Sequence, residues 1–391
     1  MPQSVILSAA RTPVGSFGGA LSTVPAPELG AAAIAGALER AGVAADEVQE
    51  VVMGNVVTAG EGQAPARQAA LGAGLPQSVA CMTINKVCGS GMKAVMLADQ
   101  AIRAGDAEIV VAGGMENMSL APFYLPKARY GYGYGNGELV DGLFHDGLRD
   151  AYDGVAMGVA ADQCGVSCNV PRERQDAFSV ESYRRAQAST ENGAFAQEIV
   201  PVTVKGRKGD TVVETDEEPA RTDFDKIPTL RPVFSKEGTV TAANASTIND
   251  GAAALVVTSA EWAEANGKAP LARIVASAQH SQAPMEFTTA PIEAVRKVLD
   301  KAGLEMDDID LFEVNEAFAV VALAAQDALG IPTEKLNVRG GSVAVGHPIG
   351  ASGARILTTL LHAMEEQDAK RGLAAICIGG GEATAIVLER D

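Results

Sequence analysis

The chain has 391 residues, of which 47% are hydrophobic and 20% are charged, a composition that permits a large packed core and excludes a globally disordered protein. Its 49 acidic residues outnumber its 31 basic residues, and the resulting net charge of −18 argues against nucleic acid or an anionic membrane surface as the main partner. The five cysteines are too few, and odd in number, for a disulfide framework, so we expect a reducing, cytoplasmic compartment.

The first predicted element is a β-strand over Ser4–Ser8, in an N-terminal segment that lacks the basic start of a signal peptide. Helices and strands then alternate: a helix over Ala26–Ala41, a strand over Val48–Met53, a helix over Ala64–Leu71, an extended run over Cys81–Asn85, a helix over Met92–Ala104 and a strand over Glu108–Ala112. This alternation predicts a mixed or parallel sheet covered by helices. No apolar run reaches the roughly 18 residues that a membrane-spanning helix needs.

Between Met115 and about Asn249 the apolar periodicity fades, and glycine, proline, tyrosine and charged residues become more frequent. One helix is predicted here, over Pro171–Glu191, with Asn169 and the proline marking its start and Gly193 its end. We interpret this stretch as an inserted or lid domain, after which the regular α/β pattern resumes.

The chain also contains an internal repeat. AGVAADEVQEVVMGN, from Ala41, resembles AGLEMDDIDLFEVNE, from Ala302, and the SGMK that starts at Ser90 resembles the SGAR that starts at Ser352 at nearly the same offset. Two copies of one α/β unit, with an insertion in the first, explain both matches better than chance similarity of Gly- and Ala-rich pieces. Such a duplication predicts a site between the halves, where equivalent loops face each other.

Cys88 lies in NKVCGSGMKAV, where an extended run leads into the cysteine and Gly-Ser-Gly opens a helix. At such a turn the helix N-terminus stabilises a thiolate, and the glycines let an acyl group approach the backbone. The plain alternative is a small buried cysteine before a tight turn.

Two further residues combine a reactive side chain with a glycine-rich loop. His347, in GGSVAVGHPIGASGAR, is suited to act as a general base or an oxyanion donor, or is simply satisfied by backbone carbonyls. Cys377 ends an apolar strand in AAICIGGGEATAIV and is either core filler or a thiol beside the free N–H groups of the glycine triplet.

Asn315, in EVNEAFA, directly precedes a long helical run and is predicted to cap that helix, although its side chain could also orient a water. Two thiols and a histidine on loops of both halves indicate chemistry that makes or breaks a carbon–carbon bond next to a thioester. Such chemistry needs a nucleophile, an enolate stabiliser and a proton shuttle. Cys164 and Cys168 have no second ligand pair nearby, so no metal site is predicted.

At these motifs the sequence resembles the thiolases, the family of acetyl-CoA acetyltransferases and 3-ketoacyl-CoA thiolases. The resemblance covers essentially the whole chain, from SAARTPVGSFGGAL through NKVCGSGMKAV, GGMENMSLAP and EVNEAFA to GHPIGASGAR and CIGGG. It implies an α/β thiolase fold: duplicated βαβαβαββ halves in five α-β-α-β-α layers with an inserted loop domain. The implied domains are residues 1–118 with 250–270 for the N-terminal half, 119–249 for the loop domain over the CoA tunnel, and 271–391 for the C-terminal half.

The resemblance also implies roles by position. Cys88 matches the nucleophile that becomes acylated, His347 the base that activates it, and Cys377 the acid/base that serves the acetyl-CoA enolate. Asn315 matches the residue that holds a water in one oxyanion hole, and the N–H groups of Cys88 and Gly379 match the other hole. The residues implied to line the acyl and pantetheine pocket or to contact CoA are Ser246, Met157, Phe234, Phe318, Leu148 and Arg221.

The implied activity is that of an acetyl-CoA C-acetyltransferase, which condenses two acetyl-CoA to acetoacetyl-CoA through acylated Cys88 or runs the reverse thiolysis. The implied partners are acetyl-CoA, CoA and 3-ketoacyl-CoA, with no metal or prosthetic group. A homo-oligomer is also implied, and residues near 120–140 match the tetramerisation loop region, which favours a tetramer.

Three departures from the family pattern concern the acyl pocket and its floor. Ala156 stands where many short-chain members have histidine, Phe287 stands where methionine is usual, and Glu382 follows the CIGGG motif. The first two leave a broad-range 3-ketoacyl-CoA thiolase open as an alternative. A decarboxylating ketoacyl synthase is disfavoured by the second thiol at Cys377, and a catalytically silent acyl-CoA-binding protein by the joint presence of the four reactive side chains.

Overall fold

Strands and helices alternate through residues 2–390, the part of the chain that the computed structural model describes. The strands are β1 (Ser4–Arg11), β2 (Gly15–Ser16), β3 (Glu50–Gly54), β4 (Ala80–Ile84), β5 (Ile109–Asn117), β6 (Phe123–Tyr124), β7 (Val140–Asp141), β8 (Val202–Val204), β9 (Thr211–Val213), β10 (Asn249–Ser259), β11 (Ala272–Ser281), β12 (Leu311–Val314), β13 (Arg371–Ile378) and β14 (Glu382–Glu389). The helices are α1 (Ala26–Ala41), α2 (Pro65–Gly72), α3 (Ser90–Ala104), α4 (Met157–Ser167), α5 (Arg172–Glu191), α6 (Ala260–Ala265), α7 (Ala290–Ala302), α8 (Ala319–Leu329), α9 (Ser342–Val345) and α10 (Ser352–Glu366).

The strands form two copies of one topology. The first copy has the order β4-β3-β5-β10-β1, and the second has β12-β13-β14-β11, with a parallel bridge between Phe312 and Leu336 in the place of β4. In each copy the early strands pair in parallel and the last two pair antiparallel. Helices α1 and α7 occupy equivalent places and both end at a left-handed glycine, Gly42 and Gly303. The predicted duplication is confirmed.

Three apolar cores separate the layers of the molecule. Helices α1 and α2 pack on the outer face of the first sheet, α3 and α10 lie together between the two sheets, and α7 and α8 cover the outer face of the second sheet. This is the predicted α-β-α-β-α arrangement. A two-residue antiparallel pairing of β1 with β11 connects the two sheets.

The two central helices approach each other backbone to backbone. A Cβ on Gly91 of α3 would lie 2.7 Å from the backbone nitrogen of Ala354 of α10, and a Cβ on Gly353 would collide with the backbone of Met92. This close approach therefore requires glycine at both positions. Because both glycines lie at the helix starts, the turns that precede α3 and α10 are brought side by side.

The segment between β5 and β10 packs against both halves and is held to them by buried ion pairs. Arg11, on β1, is fully buried; its Nε lies 2.7 Å from Glu198 Oε1 and its two terminal nitrogens lie 2.7 and 2.9 Å from the Asp216 carboxylate. Arg339 of the second half also reaches Glu198, at 3.5 Å. The ion pairs thus join this segment to both halves; the domain limits given above stay predictions.

None of the helices within residues 2–390 combines the length and the apolar character needed to span a bilayer.

We expect Arg11→Met to lower the free energy of unfolding by about 3–5 kcal/mol, because it leaves the Glu198 and Asp216 carboxylates buried without their partner. Urea unfolding at fixed protein concentration measures the change. Arg174→Met is the matched control: it removes an exposed arginine paired with Asp327 and should cost less than about 1 kcal/mol. Equal losses in the two variants would contradict the prediction.

Candidate active site

A cavity of about 490 Å³ is lined by residues of both halves and of the segment between them. Cys88, His347 and Gly379 all line it, so three of the predicted catalytic residues meet at one place. All six predicted pocket residues line it as well: Leu148, Met157, Arg221, Phe234, Ser246 and Phe318. Cys377 and Asn315 are buried and do not form part of the wall.

Cys88 stands in the tight turn between β4 and α3. Val87, directly before it, has φ of 46°, a left-handed conformation that a β-branched residue adopts only under strain. Ser90 fixes the turn, since its Oγ accepts a hydrogen bond from Lys86 N at 2.8 Å and donates one to Val87 O at 2.7 Å. A Cβ on Gly89 would collide with the Ile378 side chain, so glycine lets this turn lie against the end of β13.

Two backbone N–H groups, those of Gly379 and of Cys88 itself, face the Cys88 sulfur. Burial raises the pKa of the Cys88 thiol to about 11, although both N–H groups oppose this shift. The resting sulfur is therefore a neutral thiol at pH 7. Two backbone N–H groups beside one reactive sulfur are also placed to stabilise an oxyanion that forms there during acyl transfer.

His347 is oriented by Ser352, the first residue of α10. The Ser352 hydroxyl donates to Pro348 O at 2.9 Å and has only one proton, so it accepts from His347 Nδ1–H at 2.6 Å. This tautomer leaves Nε2 as the acceptor, and Nε2 is buried without a hydrogen-bond partner among residues 2–390. Burial and the nearby Arg355 guanidinium lower the pKa of His347 to about 3, which keeps the imidazole neutral and able to accept a proton.

The loop that carries His347 is held by two side chains that the sequence did not single out. Asn249 Oδ1 accepts the His347 N–H at 2.9 Å, and the buried Glu116 accepts the Gly350 N–H at 2.9 Å. Burial raises the pKa of Glu116 to about 8. Glu116 lies within the quoted GGMEN motif, but nothing in its local pattern predicts a contact with a loop in the other half.

Cys377 lies near the end of β13 and packs in an apolar cluster with Phe287 and Phe318. Burial raises the pKa of its thiol well above the ordinary value, and the neighbouring Cys88 adds to the shift. Cys377 is therefore held as a neutral thiol, which is able to give a proton to a strongly basic carbon.

Asn315 is not the helix cap that the sequence predicts. Helix α8 begins at Ala319, with Phe318 before it, and the Asn315 amide oxygen accepts from Ser342 Oγ at 2.7 Å. Ser342 in turn accepts from Arg355 at 2.7 Å. These bonds fix the amide so that its Nδ2 is left buried without a partner among residues 2–390, a donor available to a water or an oxygen.

The pocket residues divide into an aromatic part and a polar part. The rings of Phe234 and Phe318 meet edge to face, with centroids 6.2 Å apart and planes at 81°. Ser246 Oγ donates to Ala317 O at 2.8 Å, and the exposed Arg221 lies 3.4 Å from Glu217. An apolar wall with a few polar groups and one cation suits an acyl chain joined to a longer polar arm.

The five cysteines are free thiols, and the sulfurs of Cys164 and Cys168 lie 3.7 Å apart. Within residues 2–390 no three histidine, cysteine, aspartate or glutamate side chains form a group that could hold a metal ion.

The family model for the N-terminal domain of thiolases matches residues 4–261, and the model for the C-terminal domain matches residues 268–390. The chain belongs to the thiolase family. The resemblance inferred from the motifs around Cys88, His347 and Cys377 is thereby confirmed for both halves of the chain.

Several proteins named acetyl-CoA acetyltransferase match over nearly their full length. The fission yeast protein, from Schizosaccharomyces pombe, is 54% identical over 98% of each chain. The protein of the bacterium Cupriavidus necator is 54% identical over 100% of both chains, and that of Saccharomyces cerevisiae is 50% identical over the same share. The similarity is thus to whole proteins of this thiolase group.

We expect Cys88 to stay protonated through neutral pH, because burial raises its pKa to about 11 and the pKa of His347, at about 3, is too low for a stable ion pair. The ultraviolet absorbance of thiolate, taken as the difference between the parent and Cys88→Ala, should show no step between about pH 6 and about pH 9. A step centred below about pH 8 would indicate a preformed thiolate–imidazolium pair and contradict this assignment.

Proposed function

We propose that this thiolase is an acetyl-CoA C-acetyltransferase, which forms acetoacetyl-CoA from two acetyl-CoA and catalyses the reverse thiolysis. The main support is the shared cavity of Cys88, His347 and Gly379, in which the N–H groups of Cys88 and Gly379 lie beside the Cys88 sulfur. The names of the relatives support the same activity.

Thiolysis begins with the removal of the Cys88 proton by His347 Nε2, the acceptor that the bond to Ser352 leaves free. The thiolate attacks the keto carbon of acetoacetyl-CoA, and the oxygen that becomes negative is held by the N–H groups of Cys88 and Gly379. The carbon–carbon bond then breaks and leaves an acetyl group on Cys88 and the enolate of acetyl-CoA.

Cys377 gives its proton to the enolate carbon, and its raised pKa ensures that the proton is present. The protonated His347 Nε2 and a water held by Asn315 Nδ2 are the donors proposed to stabilise the enolate oxygen. The Cys377 thiolate next takes the proton of an incoming CoA, which attacks the acetyl group, and His347 returns its proton to the released Cys88 sulfur. The synthetic direction follows the same steps in reverse.

A buried aromatic side chain, Phe287, supports a short acyl substrate. Phe287 lines the cavity and packs in the cluster that also contains Cys377 and Phe318. Ala156, where the family often has a histidine, lines the same cavity, and the bulk of the phenylalanine supports a short acyl substrate over the broad-range alternative.

Two features support a homo-oligomer, for which we propose a tetramer. Strand β4 is a partly exposed edge of the first sheet, and an unpaired edge strand is a template for pairing with another chain. The hairpin region around β6 and β7 also exposes large apolar side chains: Phe123, Leu125, Tyr130, Tyr134 and Leu139.

The five free thiols support a reducing, cytoplasmic compartment. CoA and its thioesters are proposed as the substrates, without a metal or prosthetic group.

We expect Cys377→Ser to accept an acetyl group from acetyl-CoA on Cys88 while its kcat for thiolysis of acetoacetyl-CoA falls at least about 100-fold, because the hydroxyl is a poor proton donor and base here. Radiolabelled acetyl-enzyme and loss of the ketoacyl chromophore measure the two steps. Cys168→Ser, a thiol outside the cavity wall, is the control. Near-normal thiolysis by Cys377→Ser would remove its proposed role.

We expect kcat/KM to fall sharply beyond the four-carbon substrate in a series of 3-ketoacyl-CoA thioesters. Phe287→Ala should raise the relative kcat/KM for six carbons about tenfold, since each buried methylene contributes about 0.8 kcal/mol. Val212→Ala, at an exposed apolar residue outside the cavity, is the control. A flat profile in the parent would instead assign a broad-range degradative thiolase, and activity on no substrate would favour an acyl-CoA-binding protein.

A further inference from the structure

The two N–H groups that face the Cys88 sulfur belong to turns from different halves of the molecule. The first turn, residues 85–89, joins β4 to α3 and supplies the Cys88 N–H. The second turn, residues 379–381, joins β13 to β14 and supplies the Gly379 N–H. The spacing of the two donors therefore depends on what holds these turns together.

An ion pair joins the two turns. Lys86 Nζ bonds to Glu382 Oε2, and the other carboxylate oxygen of Glu382 accepts from Ser281 Oγ at 3.0 Å. Within residues 2–390 no other hydrogen bond between side chains links residues 85–89 to residues 379–382. Glu382 is also one of the three positions at which the sequence departs from the common family pattern.

Each member of the pair is fixed firmly to its turn. The Lys86 N–H donates to Ser90 Oγ at 2.8 Å, and the next residue, Val87, holds a left-handed conformation. On the other side, Gly381 O accepts from Gln282 N at 2.8 Å, and a Cβ on Gly381 would collide with the Gln282 carbonyl. A change in the ion pair is therefore transmitted to the backbone that carries the two donors.

The ion pair acts without touching the substrate. Neither side chain lines the cavity, and their relative exposures, 20% for Lys86 and 32% for Glu382, make the pair less screened than one fully in solvent. Lys93 lies close enough to interact electrostatically with both Lys86 and Glu382, and it adds positive charge beside Glu382.

We propose that Lys86 and Glu382 form a positioning pair, which sets the spacing of the Cys88 and Gly379 N–H groups and thereby the strength of the oxyanion hole. The inference rests on the proposed thiolase chemistry, in which this hole holds the negative oxygen formed at each attack on carbonyl carbon. Preorganised donors contribute mainly in the transition state, and small misplacements are costly, so the pair acts on kcat and leaves substrate binding nearly unchanged.

The test compares three changes in the full-length protein: Glu382→Gln, Lys86→Met, and the charge-swapped double change Lys86→Glu with Glu382→Lys. Each single variant should lower kcat for acetoacetyl-CoA thiolysis about tenfold, with KM within about twofold of the parent. The double variant should recover at least about a third of the parent kcat, because the opposite charges again face each other.

Glu389→Gln is the matched control. Glu389 lies at the far end of the same strand, where it pairs with Arg273 and Arg371, and its loss should leave kcat unchanged. A fall in kcat of the same size in Glu389→Gln, or an unchanged kcat in Glu382→Gln, would overturn the inference.

A second measurement, the infrared band of the acetyl-enzyme, reports directly on the oxyanion hole formed by the Cys88 and Gly379 N–H groups. In a Cys377→Ser background, where ¹³C-acetyl-enzyme accumulates, Glu382→Gln should shift the infrared stretch of the thioester carbonyl to higher frequency, because the two N–H donors polarise it less. Glu389→Gln in the same background should leave the band in place. A lower kcat with an unshifted band would assign the pair a purely structural role.

The proposed function and the inference fail in different ways. A parent protein without thiolysis or condensation activity would refute the proposed function. An active parent whose kcat and carbonyl band are insensitive to Glu382→Gln would refute the positioning pair alone.

Discussion

Direct contact between the backbones of α3 and α10 places the two halves of the molecule around one cavity. Gly91 and Gly353 allow the two helix starts to meet between the sheets, where any Cβ would push them apart. The turn before α3 carries Cys88, and the loop before α10 carries His347, so this contact brings the proposed nucleophile and the proposed base to one cavity. The spacing of the central layer thus sets the distance on which proton transfer depends.

The duplication gives the site two similar halves, but equivalent positions in these halves carry different residues. When Ser90 is set opposite Ser352, Gly350 lies opposite Cys88 and Asn85 lies opposite His347. The two serines have related tasks: Ser90 bonds to the carbonyl of Val87, and Ser352 bonds to the carbonyl of Pro348 and also receives the imidazole proton. One copy carries the thiol and the other the imidazole, so a single asymmetric site lies between two similar halves.

Local patterns in the sequence predicted a duplicated α/β unit and the side chains that carry reactive atoms, and the resemblance to the thiolases added the five layers and the role of Gly379. Motifs around Cys88, His347 and Gly379 predicted residues that share a cavity, and the repeat predicted two matching sheets. The cap assigned to Asn315 is wrong because its amide is taken by Ser342, a partner outside the local helix pattern. The bonds from Glu116 to Gly350 and from Lys86 to Glu382 were likewise missed. Their partners are 234 and 296 residues apart, and a local pattern carries no information about such contacts.

Arg11, buried at the end of β1, limits how far the inserted segment can move away from the two halves. Lifting the inserted segment would separate Arg11 from both Glu198 and Asp216, and the cost would restrict an opened form to less than about one molecule in a hundred. The inserted segment therefore stays against both halves, together with which it lines the cavity of Cys88 and His347. Any molecule that reaches these two side chains has to enter while the segment is in place. The buried ion pairs thus make the width of the entrance a property of the fold.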